Sequence, residues 1–225
     1  MNNIFSGEVL DALPISNGIV FAFIEEVTAD NKTVVAYRHI NFDTGRTAAV
    51  TKKIYQLAKF GAEYRAEALQ KFHHLSTLSA FMPEGKLFLC ERGGKATILS
   101  GDNEVIWTGR ITYNGKGPSS IIFNDGKIWA SFFDDGVVTR YNIELEREEL
   151  RIGGSGGISK FLGPRSLFLD GDTLFVSCEK GQNIWQINIK NYDSGMLYEF
   201  KEPCYLYMKT NGIELVVLKS GIYLI

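Results

Sequence analysis

Three cysteines, three histidines and five prolines are all that 225 residues hold of these types. Each scarcity narrows the field. Cys90, Cys178 and Cys204 are odd in number and none stands in a CxxC pair. A disulfide framework or a thiolate zinc site needs paired, closely spaced cysteines, so reduced thiols are expected. None has a base beside it in sequence, and nothing points to a thiolate nucleophile. Charge of one sign is also missing: the net charge is −2, with acidic and basic residues spread along the chain. A surface that tracks phosphates needs a basic excess, so nucleic acid is not expected as a partner. No apolar run approaches the roughly 20 residues that cross a bilayer. The N-terminal MNNIFSGEVLDALP has neither the basic start nor the apolar stretch of a secretion signal. No membrane association is expected, and a cytoplasmic location is. Gly153-Gly154-Ser155-Gly156-Gly157 is glycine-rich, but no helix pattern or GK[ST] follows it. It reads as a connection rather than a phosphate cradle, and no cofactor is expected.

What is present is one short phrase, written five times. SNGIVFAF, PEGKLFLC, NDGKIWAS, DGDTLFVS and TNGIELVV each place a turn signal before a run of apolar, β-prone residues. Asn, Asp and Gly tolerate the positive φ that tight hairpins need. The longest copies, GPSSIIFNDGKIWASFFDDGVVTRYN from Gly117 and GPRSLFLDGDTLFVSCEKGQNIWQIN from Gly163, align without a gap at a period of 46. Gly117/Gly163, Pro118/Pro164, Ser120/Ser166, Ser131/Ser177 and Asn142/Asn188 are identities. The marker glycines, Gly18, Gly85, Gly126, Gly171 and Gly212, are spaced 67, 41, 45 and 41 residues apart. The long interval contains GAEYRAEALQKF, residues 61–72, whose alanines and Glu67–Lys71 spacing predict a helical insertion.

Each copy reads as four strands, SSIIFN, KIWASFF, VVTRYN and EELRIG in the third. Four strands repeated every 40–46 residues predict an all-β protein, a five-bladed β-propeller of four-stranded antiparallel blades. A sixth blade has no residues left to build it. The blades are expected over 8–60, 74–112, 117–155, 163–200 and 203–225, in one domain. The last copy stops after three strands, so residues 2–7 are expected to supply its fourth, a 3+1 closure that covers an open edge.

The copies at 117 and 163 resemble blades of the NHL and virginiamycin B lyase-like propeller superfamily. They share a Gly-Pro entry, an inner strand, an Asn/Asp-Gly turn and an aromatic strand. The resemblance implies a propeller. It also implies seven blades, and this chain has length for five, so no catalytic residue carries over.

A propeller works at one face, where the entry loops and the loops between strands two and three meet. The entry loops offer Asp11, His73, His74, Ser76, Ser119, Arg165, Cys204 and Tyr205. The second set offers Glu25, Glu26, Glu91, Arg92, Phe132, Phe133, Asp134, Asp135, Glu179, Lys180 and Lys219. The narrowed candidate site is His73, His74, Glu91, Arg92, Ser119, Asp134, Arg165, Glu179 and Tyr205. Glu91-Arg92 and Glu179-Lys180 occupy nearly equivalent positions, either as solvated charges left by duplication or as paired carboxylates for acid–base work. Arg165 replaces Ser119 of the sister blade, and suits a carboxylate or phosphate ligand or a neighbouring Glu. Asp134-Asp135-Gly136 reads as a turn or as oxygen ligands for a cation, although no metal is expected. Trp129 and Trp185 are expected to pack between blades. Three functions follow: a non-enzymatic module binding a protein partner or small polar ligand, a lyase or glycoside hydrolase using Glu91, Glu179 and a histidine, or a structural scaffold acting through the helix and outer blade edges.

Overall fold

The computed structural model describes residues 1–15, 18–55, 78–91, 93–144, 146–154, 160–210 and 212–225. The expected helix at 61–72 and the candidates His73, His74, Ser76 and Arg92 lie outside the described residues. Among those described, twenty strands form five four-stranded antiparallel sheets, the blades of a five-bladed β-propeller. Blade one is β2 (Val9–Ile15), β3 (Gly18–Val27), β4 (Thr33–Asn41) and β5 (Thr47–Ala49). Blade two is β6 (Leu78–Phe81), β7 (Leu87–Cys90), β8 (Lys95–Leu99) and β9 (Val105–Arg110). Blade three is β10 (Ser120–Asn124), β11 (Lys127–Phe132), β12 (Val137–Asn142) and β13 (Arg147–Gly153). Blade four is β14 (Pro164–Asp170), β15 (Thr173–Cys178), β16 (Asn183–Asn188) and β17 (Ser194–Glu199). Blade five is β18 (Cys204–Thr210), β19 (Ile213–Leu218) and β20 (Gly221–Leu224), completed by the N-terminal β1 (Asn2–Ser6).

The turn signals act as their chemistry requires. Asp125 and Gly126 take φ of 47° and 72° between β10 and β11, the paired positive values of a hairpin turn that matches strand twist. Thr51 caps a single helical turn at 52–55, its hydroxyl accepting from the Ile54 amide at 3.3 Å.

The chain gathers into two compact units. One holds blade one with β1, β19 and β20. Here β1 pairs antiparallel with β20, Ser6 opposite Gly221 and Asn2 opposite Leu224, which is the expected 3+1 closure. The Gly7 amide donates to the Ser220 carbonyl at 3.0 Å and the Val9 amide to that of Lys219 at 3.1 Å. Phe5 packs edge-on against Phe21 and Phe23, with centroids 4.7 and 4.9 Å away.

The other unit holds blades two to four and the start of β18. Its second strands are buried along nearly their whole length, as in LFLC of β7 and KIWASF of β11. β11 lies between blades two and four, so both its faces need apolar side chains and the usual alternation vanishes. Ile128, Ala130 and Phe132 share a core with Phe88 and Ile98 of blade two. Trp129 joins Val138 of blade three to Leu167, Leu174 and Val176 of blade four. Inter-blade packing by Trp129 is therefore observed, and Trp185 packs edge-on against Phe161. The fourth strands are mostly open, as in VIWTGR of β9.

Serines at the start of blade three connect it to blade four. Ser119 Oγ donates to the Pro164 carbonyl at 2.6 Å and lies 2.9 Å from Ser131 Oγ, while the Leu167 amide donates to Ser120 Oγ at 3.1 Å. These bonds satisfy the blade-three hydroxyls, whereas the Ser166 Oγ of blade four is buried without a hydrogen-bond partner among the described residues.

Candidate functional site

In each blade the first strand begins, and the second ends, at the same edge of the sheet. In blades three and four that edge carries a cluster of charge and aromatic rings. Arg165 stands in a bulge of β14 between Pro164 and Ser166, opposite the end of β15. A bulge re-aims the side chain it adds. The Arg165 Nη1 donates to Glu179 Oε2 at 2.6 Å, and its guanidinium lies 4.0 Å from the centroid of Tyr205. Three of the candidates, Arg165, Glu179 and Tyr205, are thus in direct contact. A charge-assisted bond on one side and a ring face on the other fix the cation's orientation.

Beside them Asp134 accepts from Lys116 Nζ at 3.0 Å and lies 3.9 Å from Lys180 Nζ, which sits 4.6 Å from the Phe133 ring centroid. The hydrogen bond from Lys116 holds the Asp134 carboxyl below the usual carboxylate range, and the same bond raises the Lys116 ammonium. Asp135 accepts from Asn114 Nδ2 at 2.7 Å, and Gly136 turns the chain at φ 64°. The Asp-Asp-Gly stretch is thus a turn whose carboxylates are held by a lysine and an asparagine. Lys116 and Asn114 were not among the sequence candidates. Their only signal is the Asn114-Gly115 turn, which says nothing of what the neighbouring lysine will meet.

The remaining candidates divide. Glu91 follows Cys90 at the end of β7 as Glu179 follows Cys178 at the end of β15, so the expected equivalence holds. Its carboxylate lies 3.7 Å from Lys95 Nζ, and among the described residues no ion pair or hydrogen bond joins it to the Arg165 cluster. Ser119 is committed to Pro164 and Ser131, as above. Phe132 and Cys204, expected in loops, are buried strand residues because each continues an apolar run into the core. Glu25 and Glu26 are exposed but lie within β3, which runs on past a bulge there. Asp11 accepts a hydrogen bond from the Tyr55 hydroxyl, and Lys219 lies 3.7 Å from Glu8.

All three thiols are free and buried. Burial pushes those of Cys90 and Cys178 up to about 12, with the Glu91 charge adding to the effect on Cys90, and burial pushes Cys204 up as well. Held protonated, they are poor nucleophiles at neutral pH.

At the opposite edge of blade four lies an open cavity of about 330 Å³, lined by Thr173, Gln186, Asn188, Asp193, Ser194 and Gly195. Sequence reasoning missed it. No helix among the described residues is long and apolar enough to cross a membrane.

No family model matches the chain, and no curated protein sequence matches it significantly. Solved structures do resemble it. A streptogramin B lyase aligns over 98% of this chain and 69% of its own, at a TM-score of 0.54 and 11% identity. A chain of a nidogen/laminin complex aligns over 96% and 72%, with a TM-score of 0.52 and 9% identity. Sqt1 of Saccharomyces cerevisiae gives 0.51 at 11% identity, over 97% of this chain, which spans only 59% of that one. At such identities the likeness is one of fold. The propeller that the blade motifs imply is therefore matched by the architecture, with five rather than seven blades among the described residues.

Proposed function

We propose that the protein is a cytoplasmic binding module without a reaction of its own. Its ligand is a carboxylate-bearing small molecule, or a carboxylate-bearing segment of a protein partner, taken at the edge where Arg165, Lys180 and Lys116 gather. One observation carries this reading: the Arg165 guanidinium lies 4.0 Å from the Tyr205 ring centroid while its side chain stays 29% exposed. An oriented, ring-backed cation loses little freedom on binding, which is how preorganisation raises affinity. Lys180, next in sequence to Glu179, repeats the device over Phe133. Glu179 and Asp134 hold these cations in place and are the groups that a ligand carboxylate would exchange with. General acid catalysis asks for a carboxyl raised towards neutrality, and Asp134 is moved the other way. Buried free thiols fit a reducing compartment.

The test is calorimetric titration with succinate, citrate, glutamate and a short acidic peptide. Binding is expected for at least one probe, weakened about tenfold by Arg165→Ala and less by Lys180→Ala. Silence from every probe, or affinity untouched by Arg165→Ala, would sink the proposal.

A further inference from the structure

The internal duplication supplies its own comparison for the cavity on blade four. At the period of 46, Thr173, Gln186, Asn188 and Gly195 stand where blade three has Lys127, Arg140, Asn142 and Glu149. The pairing agrees for three of them, since Lys127 opposes Asn142 as Thr173 opposes Asn188, and Arg140 and Gln186 lie two residues before those asparagines. The fourth strands differ, a bulge setting Leu150 opposite Arg140 with Glu149 beside it, where Gly195 lies opposite Gln186. In blade three this place is full. Glu149 Oε1 accepts from Asn142 Nδ2 at 2.7 Å and lies 3.5 Å from Lys127 Nζ, and its Oε2 lies 3.5 Å from Arg140 Nε. One carboxylate gathers three side chains of its own sheet.

In blade four that carboxylate is gone. Gly195 lies directly opposite Gln186. A Cβ built there would meet nothing within 4 Å, and the backbone is not left-handed. Neither conformation nor packing demands glycine. In a strand it costs stability, and it often marks a place where something else approaches closely. The two cations have become Thr173 and Gln186, and among the described residues neither side chain has a hydrogen-bond partner. Asn188 keeps its place, its Oδ1 accepting from the amides of Lys190 at 2.9 Å and Asn191 at 3.3 Å. Asp193 accepts from Asn191 Nδ2 at 2.8 Å, and Ser194 Oγ accepts from Lys160 Nζ at 2.9 Å.

We propose that this cavity binds a neutral polyol, a saccharide unit. The chemistry selects it. With Lys127 and Arg140 replaced by uncharged side chains, the lining holds one carboxylate, Asp193, and one cation against it, Lys160 at Ser194 Oγ, so its charges balance and an uncharged polar ligand suits it. A sugar hydroxyl both donates and accepts. It donates to Asp193 or the Gln186 carbonyl and accepts from the Gln186 and Asn188 amides or the Thr173 hydroxyl. The volume of about 330 Å³ lies at the lower end of small-molecule pockets, suited to one or two rings.

Ligand-observed saturation-transfer NMR tests this with the methyl glycosides of glucose, galactose, mannose and N-acetylglucosamine, and with myo-inositol, at millimolar concentration. Transfer to at least one is expected. Gly195→Leu, which places its side chain in open space, should abolish it while leaving the melting temperature unchanged, and Gln186→Ala should weaken it about tenfold. Arg165→Ala should not alter it, which separates this site from the carboxylate site. The same units on immobilised oligosaccharides distinguish the source: tighter binding there identifies a glycan, equal affinity a free sugar. Silence from all five probes, or binding that survives Gly195→Leu, overturns the proposal.

Discussion

Gly221→Ala is the sharpest test of how the chain closes. Gly221 opens β20 directly opposite Ser6, and a Cβ there would lie 2.2 Å from the Phe5 carbonyl oxygen. The backbone has no escape by rotamer, so β1 must retreat by about 1 Å or leave the sheet. Retreat weakens the amide bonds from Gly7 to Ser220 and from Val9 to Lys219, each contributing about 0.5–1.5 kcal/mol. It also pulls Phe5 away from Phe21 and Phe23, where each ring pair contributes about 0.5–1.5 kcal/mol beyond its buried area. The expected loss is about 3–5 kcal/mol, a large share of the 5–15 kcal/mol typical of a folded domain. Urea unfolding followed by intrinsic fluorescence measures it. Phe5→Ala acts through the same strand, so the double variant should cost less than the two singles added. A loss under about 1 kcal/mol for Gly221→Ala, or full additivity with Phe5→Ala, would refute the closure argument.

Three further outcomes are expected. Trp129, 1% exposed between blades three and four, should cost about 3–5 kcal/mol when cut to Ala, whereas a change under 1 kcal/mol by the same assay would deny it an inter-blade role. In Lys116→Ala the Asp134 carboxyl should rise back towards its ordinary 3.8, read by NMR titration. An unmoved midpoint would mean that Lys116 does not hold it. The folded thiols bind their protons more tightly than unfolded ones, rising from 9.0 to about 12 at Cys90 and Cys178. Their contribution to stability is therefore complete below about pH 9 and is lost as pH climbs towards 12. Ellman's reagent should react slowly with the native protein at neutral pH and fully after denaturation; equal rates would contradict their burial.

The blades were legible because the turns are chemical and the period is arithmetic. Asn-Asp-Gly at 124–126 favours a hairpin by its own chemistry, and five such turns, the last four at similar spacing, match the sheet count. The second strands were legible for a related reason. A run such as KIWASF, apolar on both faces, has no place except between neighbours. The contents of the site were less accessible. Arg165 was visible as an oddity against Ser119, and its pairing with Glu179 was one of two readings the sequence allowed. That it also lies against Tyr205 depends on a bulge and on the start of a different blade, and neither leaves a local pattern. Lys116 reaches Asp134 across eighteen positions of sequence for the same reason. Phe132 and Cys204 were misplaced by a residue or two, because strand ends are set by the pairing partner rather than by the turn that follows.

The cavity on blade four shows where repeat reasoning stops one step short. Aligning the copies at 117 and 163 rewards identities, and Asn142/Asn188 was scored as one. The informative positions are the differences around that asparagine, and they matter only together. Glu149 to Gly195 alone reads as a neutral surface change, and Arg140 to Gln186 or Lys127 to Thr173 alone reads as a lost charge. Once the register places Lys127, Arg140 and Asn142 on one face, with the Glu149 carboxylate against them, the changes become correlated: the carboxylate left and both of its cations left with it. Loss of Glu149 alone would leave two part-buried cations unpaired, so the three changes belong together, while the asparagine that bonded it stays. A shared cause, an occupant whose hydrogen bonds replace those of Glu149, accounts for all of these changes and for a glycine that no backbone angle requires.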